Sequence, residues 1–300
     1  HKKFVFVSVG SYCNVDFGFL SALRTYAEVN DAMVIGLPLC RRHDKAVYDF
    51  CAPPETKDVI WYTFDDVVLN SNLRAMVFKA TCTGKSSITS MNQLVSKYDS
   101  SIIVPGVYQQ LKYIPVIKGK TPNMIASTGC CTEFDTSNGS EIRIPTKSEK
   151  LAMERLSMKG ALVVELGEND TFTARNIEAD KDGSFIDLAV KYNVDGSIKD
   201  IVGSTFVIGD LHAPNHNEEL INANLNAIWE YNCSQVVLHD SVNMTYISHH
   251  NADKAIFRAQ LVEEGKANVL SEVNAFANVL EDIAKIETVD RIIVPYSNHP

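Results

Sequence analysis

Two runs of β-forming residues enclose a helical pattern at the front of the chain, and this order constrains the fold more than any other feature of the sequence. Residues 3–9 (KFVFVSV) are rich in β-forming apolar residues and typical of a buried strand, and residues 32–37 form a second such run. Between them, Phe17 to Val29 carries apolar residues at helical spacing. Two strands joined through a helix are usually parallel neighbours in one sheet. The sequence therefore predicts an α/β layer at the N-terminus.

Turn-rich segments divide the rest of the chain. Between about 130 and 200, clusters such as DKDGS and VDGS separate short β-rich runs, which predicts antiparallel hairpins. From about residue 201, strands and amphipathic helices alternate again. We therefore expect an α/β fold with a β-rich insert. Its expected parts are an N-terminal α/β accessory domain (1–155), a β-rich connecting segment (156–200) and a further α/β domain (201–300).

Charge, hydropathy and cysteine usage limit what the chain can do. The formal net charge of −9 argues against nucleic-acid binding by bulk electrostatics, unless divalent metals supply positive charge locally. No apolar run approaches the ~18 residues that a helix needs to cross a bilayer, and the first residues lack the features of a secretory signal. The seven cysteines are odd in number and include no CxxC spacing, which argues against a disulfide framework. We expect a cytoplasmic protein with no membrane partner.

Polar residues of metal-binding type follow each of the last three predicted strands. These segments are Gly209-Asp210-Leu211-His212, His239-Asp240-Ser241-Val242-Asn243 and Ser297-Asn298-His299. Ligands of open α/β sheets gather beyond the carboxyl ends of the strands, so we expect Asp210, His212, Asp240, Asn298 and His299 to share one crevice. Carboxylate, imidazole and amide donors together suit Mn²⁺, Fe or Zn²⁺, with Mg²⁺ as a further candidate. An Asp that bridges two such ions builds a clamp for phosphoryl transfer.

The three segments resemble the calcineurin-like metallophosphoesterases, whose pattern is G-D-x-H, then G-D-x-x-D/N, then G-N-H-D/E. The first segment matches in full, whereas His239 and Ser297 replace glycines and Pro300 replaces the acid. The resemblance covers roughly residues 201–300 and implies the first part of an α/β metallophosphoesterase sandwich. The family takes further histidines, including a G-H-x-H block, from later strands. We therefore expect the chain to be a fragment whose remaining metal ligands lie beyond Pro300.

The resemblance also implies a role for each residue. Asp210 and His212 would hold the first of two divalent ions, with Mn²⁺ favoured, and Asp240 would bridge both. Asn298 would bind the second ion. His299 would be the catalytic residue that protonates the leaving oxygen or stabilises the charged transition state, and the nucleophile would be a metal-bound hydroxide.

Other histidines in this region admit two interpretations each. His239 either fills the family's glycine position or orients a ligand from a second layer. His216 either contacts substrate or is a polar residue at a helix start. His249 and His250 are either extra ligands or the polar entrance of a helix.

Four segments, taken in their order along the chain, are similar to phage-encoded members of the family that act in host DNA degradation. They are IASTGCCTE, GALVVEL, GSFIDLAV and VGSTFVIGDLHAP. The resulting hypothesis is an enzyme, a Mn²⁺-dependent DNase that hydrolyses phosphodiesters during phage takeover, with a homo-oligomeric state and a host-cell cytoplasmic location. A phosphatase or a phosphodiesterase for a small substrate is the alternative enzyme. An oligomeric takeover protein that binds a host protein is the alternative outside catalysis.

Overall fold

The computed structural model describes residues 2–40, 45–81, 92–114, 122–133, 159–201, 203–248 and 251–295. The chain divides into two compact units, a first unit of His1–Lys199 and a second unit of Asp200–Pro300. Both are mixtures of helices and strands, so the predicted α/β class is confirmed at this level. In the described ranges, no helix combines the length and the apolar character that a bilayer crossing requires.

The first unit contains most of the strands. They are β1 (Lys3–Gly10), β2 (Asn14–Val15), β3 (Ala32–Cys40), β4 (Trp61–Tyr62), β5 (Val67–Asn70), β6 (Leu73–Ala75), β7 (Ala80–Thr81), β8 (Ser101–Val104), β9 (Gln109–Ile114), β10 (Asn123–Thr128), β11 (Thr132–Glu133), β12 (Gly160–Leu166), β13 (Phe172–Glu178), β14 (Phe185–Asp187), β15 (Val190–Tyr192) and β16 (Ile198–Asp200). Its α-helices are α1 (Phe17–Asn30) and α2 (Asn92–Tyr98), with short 3₁₀ turns at Val47–Asp49 and Pro54–Thr56.

The predicted β-α-β opening is confirmed. β1 and β3 pair in parallel over their whole length, with Lys3 opposite Ala32 and Gly10 opposite Leu39. Helix α1 starts where the Asp16 side chain accepts a hydrogen bond from the backbone N–H of Phe19, an ordinary N-cap. Its buried residues recur at helical spacing and pack under the sheet; they are Phe19, Leu20, Ala22, Leu23 and Tyr26.

The predicted hairpins of the β-rich region are also present, and they extend the N-terminal sheet. β12 pairs antiparallel with β1, and β13 pairs antiparallel with β12. The main path of this sheet therefore runs β13-β12-β1-β3-β4. Strands β12 and β13 fall in the 156–200 range that the sequence predicted as a β-rich connecting segment, and they lie inside the first unit. The strands β14, β15 and β16 form a small sheet of their own, and β5-β6-β8-β10-β9 forms another.

The second unit is a three-stranded parallel sheet with helices between its strands. Its elements are β17 (Thr205–Ile208), α3 (Glu218–Glu230), β18 (Gln235–Leu238), α4 (Ala255–Glu263), α5 (Val269–Ala284) and β19 (Arg291–Ile293). The strand order is β17-β18-β19, with Ile208 opposite Leu238. Ile208, Val236 and Leu238 are buried in a core that also contains Ile228 of α3 and Ile283 of α5. All three strands therefore point their carboxyl ends towards the same edge of the sheet.

Candidate metal centre

The loops that follow β17 and β18 stay side by side after the strands end. The backbone N–H groups of Leu211, His212 and Ala213 donate to the carbonyl oxygens of His239, Asp240 and Ser241 at 3.1, 2.8 and 3.0 Å. These hydrogen bonds continue the parallel pairing beyond the sheet. They fix the distance between the two loops, and with it the separation of the polar side chains that the loops carry.

Three residues of these loops have a left-handed backbone. The φ angles are 48° at His212, 40° at Asp240 and 47° at Met244, a region that residues other than glycine seldom occupy. Such conformations persist where the surroundings hold them, and they concentrate at binding and catalytic sites. Here the inter-loop hydrogen bonds made by the His212 N–H and the Asp240 carbonyl hold these two residues in place.

Three side chains from the two loops converge. One ligand atom each from Asp210, His212 and Asp240 lies within 4.8 Å of the others. Asp210 is exposed and His212 is half-buried, whereas Asp240 is only 5% exposed. The cluster therefore has a buried floor, formed by Asp240, and a side that is open to solvent at Asp210.

The donor set of this cluster fits a divalent metal ion. Two carboxylates and one imidazole suit Mn²⁺, Fe²⁺ or Zn²⁺, and no thiolate belongs to the group. Two carboxylates this close repel each other, and a buried carboxylate such as Asp240 is costly unless a cation or strong hydrogen bonds compensate its charge. A cation at this point relieves both costs. The group can thus hold a metal ion.

His239 lies directly against the cluster. Its Nδ1 atom is 3.0 Å from Oδ1 of Asp210 and 3.5 Å from Oδ2 of Asp240, and half of its side chain is exposed. The sequence offered two interpretations of His239, as a filler at a glycine position or as a residue that orients a ligand. In the structure its imidazole contacts both carboxylates of the cluster.

A buried acid fixes the loop that carries Asp240. Glu272, on α5, is 5% exposed, and its two carboxylate oxygens lie 3.2 and 3.1 Å from the backbone N–H of Thr245, which donates to them. The Thr245 hydroxyl accepts from Asn243 at 2.6 Å, and the Thr245 carbonyl accepts from Asn251 at 3.0 Å. Helix α5 therefore positions the segment around Thr245, in the loop that begins at Asp240.

The structure brings together three of the four predicted metal ligands, Asp210, His212 and Asp240. The fourth, Asn298, and the predicted catalytic residue His299 lie outside the described residues, as do His249 and His250. His216 is half-buried in the loop before α3 and is not part of the cluster among the residues that the structure describes.

Sequence reasoning did not identify Glu272, although one signal was present. This acid occupies the apolar stripe of α5 that includes Phe276, Val279 and Ile283, at helical spacing. An acid in such a stripe indicates a buried carboxylate with a specific partner.

Comparisons of this chain with protein-family models, with curated proteins and with solved structures found no match.

Proposed function

We propose that the second unit is a divalent-metal-dependent phosphodiesterase that cleaves DNA, with Mn²⁺ as the favoured ion. The observation that supports this most directly is the convergence of Asp210, His212 and Asp240 within 4.8 Å at the carboxyl ends of adjacent parallel strands. Carboxylates and imidazoles at this edge of an α/β sheet are the usual protein ligands of hydrolytic metal ions.

The charges of the chain favour a metal-dependent reaction. A protein with a net charge of −9 repels the phosphates of DNA, and both carboxylates of the cluster add to that repulsion. A bound ion would supply positive charge where the phosphodiester lies and would offset its repulsion of an attacking oxygen nucleophile. We therefore expect no cleavage without a divalent ion.

The residues of the cluster would divide the work by their exposure. Asp240 is buried and lies in a loop whose backbone is fixed by hydrogen bonds, so it would hold the ion in one position. Asp210 is exposed, so its side of the site is accessible to a large substrate. Asn298 is the predicted ligand of a second ion. Since Asn298 lies outside the residues that the structure describes, the proposal keeps the second ion as predicted.

Supercoiled plasmid DNA tests the proposal. The full chain, freed of metal by chelation, is incubated with plasmid and with Mn²⁺, Mg²⁺ or Zn²⁺, and then with a chromogenic phosphodiester. Asp240→Asn should reduce cleavage by at least about 100-fold, because even residues that only orient metal ligands contribute 10- to 100-fold. Asp253→Asn, the same change at an exposed position of the same unit, should leave the rate unaltered.

The outcomes separate the candidate functions. Plasmid cleavage that needs the ion and is lost in Asp240→Asn supports a DNase. Turnover of the chromogenic diester while the plasmid stays intact would indicate that the substrate is a small phosphodiester and not DNA. Absence of both reactions with every ion, in a protein that binds the ion, would refute the enzymatic proposal.

A further inference from the structure

We infer that His239 is an additional ligand of the ion held by Asp210, His212 and Asp240, and that it binds through Nδ1. The inference rests on the metal-binding role proposed above for the cluster. It adds a second imidazole beside the two carboxylates. His239 is not in the group of Asp210, His212 and Asp240 whose ligand atoms all lie within 4.8 Å of one another, so binding of one ion by all four residues requires the His239 ring to move closer to His212.

The spacing of the atoms is the first argument. Nδ1 of His239 lies 3.0 Å from Oδ1 of Asp210 and 3.5 Å from Oδ2 of Asp240. Ligand atoms that share one ion through bonds of about 2.1 Å are separated by about 3.0 Å in octahedral geometry and about 3.4 Å in tetrahedral geometry. The nitrogen thus stands at the distance of a neighbouring ligand from both carboxylates at once.

A hydrogen bond alone explains only the shorter of the two distances, the one between His239 and Asp210. A single N–H on Nδ1 can point well at one acceptor, and the 3.0 Å contact to Asp210 has that length. The 3.5 Å separation from Asp240 exceeds a good N–H···O distance. An ion bound between the three groups would make use of both separations, because each ligand atom would then face the same centre.

The backbone explains how two consecutive residues reach one centre. Side chains of successive residues in an extended strand point to opposite faces of the sheet. The left-handed conformation of Asp240, with φ of 40°, breaks that alternation directly after β18. The side chains of His239 and Asp240 therefore approach each other to 3.5 Å although the residues are adjacent in sequence.

Cobalt binding tests the inference without depending on catalysis. Co²⁺ is titrated into the metal-free full chain, and its affinity is measured by calorimetry while the visible absorption reports the ligand set. His239→Gln should weaken binding by at least about 10-fold and change the visible spectrum, because it removes a nitrogen ligand. His216→Gln makes the same substitution at a histidine outside the cluster and should match the wild type. His212→Gln serves as the positive control and should also weaken binding.

Each result has one meaning. If His239→Gln keeps the affinity and spectrum of the wild type while His212→Gln loses both, His239 is only a hydrogen-bonding neighbour. The inference is then overturned, and the proposed function is unaffected. If His239→Gln weakens Co²⁺ binding but the wild type cleaves no phosphodiester, the inference stands and the proposed function fails. Circular dichroism checks that His239→Gln is folded. If His239→Gln is unfolded, His239→Asn is used in its place.

Discussion

Asp240 combines burial, a left-handed backbone and a charge beside a second carboxylate. Groups placed this way cost folding free energy that a bound ligand recovers. We expect Mn²⁺ to stabilise the second unit, by about 2.7 kcal/mol at a free concentration of 100 times the dissociation constant. Asp240→Asn should abolish this Mn²⁺-dependent gain in the free energy of unfolding. Urea denaturation followed with and without Mn²⁺ measures it.

The matched variant for this measurement is Asp253→Asn, whose site is exposed in the same unit. It should keep the full Mn²⁺-dependent stabilisation. An equal shift in Asp240→Asn and in the wild type would place the bound ion elsewhere in the protein.

The cysteines of the first unit differ sharply in their chemistry. Burial raises the pKa of the Cys130 thiol to about 12, and burial also raises the pKa of Cys131. Since the thiolate is the reactive form, both side chains should resist iodoacetamide at pH 7.5, whereas the exposed Cys51 should be alkylated. Mass spectrometry of the native and the denatured protein checks this. Rapid labelling of Cys130 in the native protein would contradict it.

At the residue scale, the sequence predicted part of the site. Asp210, His212 and Asp240 follow strands that are recognisable from their β-branched residues, so their convergence could be anticipated. For His239 the sequence offered an orienting role as one of two interpretations. It did not predict the contact with both carboxylates, because that contact depends on the left-handed backbone of Asp240, which no nearby residue pattern specifies.

Between elements, Glu272 links helix α5 to the loop after β18. Replacing Glu272 by Ala removes both charged acceptors from the N–H of the half-buried Thr245, which should cost about 1–3 kcal/mol of the free energy of unfolding. The same change should weaken Mn²⁺ binding, because the loop that carries Asp240 loses its anchor. Chemical denaturation and metal titration measure the two effects.

Glu272→Gln is the matched variant because it keeps one oxygen acceptor for Thr245. It should retain most of both the stability and the metal affinity. A loss of stability in Glu272→Ala with unchanged affinity for Mn²⁺ would mean that the loop keeps its position without the helix.

In the first unit, an ion-pair network joins β12, β13 and β14. Arg175 donates two hydrogen bonds to the buried Asp187, at 2.5 and 2.7 Å, and one to Glu165 at 2.6 Å. Partial burial opposes the ionisation of Glu165, but the hydrogen bond and charge of Arg175, with Lys3, outweigh it and lower the pKa of Glu165. Arg175→Met leaves Asp187 buried without its cation and should cost about 3 kcal/mol at pH 7.

The part of the Arg175 contribution that acts through Glu165 depends on pH, in the direction that the lowered pKa of Glu165 sets. A carboxyl whose pKa is lowered by folding stabilises the protein above its unfolded pKa, about 4.3, and loses that contribution as the pH falls through its folded pKa. The stability difference between wild type and Arg175→Met should therefore shrink between pH 5 and pH 3. Urea denaturation across this range checks it, and a constant difference would show that the Arg175–Glu165 pair contributes no electrostatic stability.

At the element scale, the sequence predicted the β-α-β opening and the hairpins of the β-rich region, but not the pairing of strands that lie far apart in sequence. Helix α1 and strands β1 and β3 stand out from their apolar spacing, and their parallel order follows from the helix between them. By contrast, β12 joins β1 from the far end of the unit, with Lys3 opposite Glu165. Many strands of this chain carry similar valine- and isoleucine-rich runs, so such a distant pairing has no local signature.

On the scale of the whole chain, the division into two units corresponds to separate cores. The buried apolar clusters of the described residues each draw their members from one unit only. The return of strand–helix alternation near residue 201 indicated where the second unit begins, beside the observed division between Lys199 and Asp200. The sequence did not indicate that β12 and β13 belong to the N-terminal sheet.

Separate cores should unfold as separate cooperative transitions. We expect calorimetry of the full chain to resolve two transitions, of which Mn²⁺ raises only that of the second unit and Arg175→Met lowers only that of the first. The reason is that the ion would be held by residues of the loops after β17 and β18, whereas Asp187 and Glu165, which accept hydrogen bonds from Arg175, belong to the first unit. Asp240→Asn should remove the effect of Mn²⁺ without altering the transition that Arg175→Met lowers. A single transition shifted by both changes would mean that the two cores fold as one cooperative body.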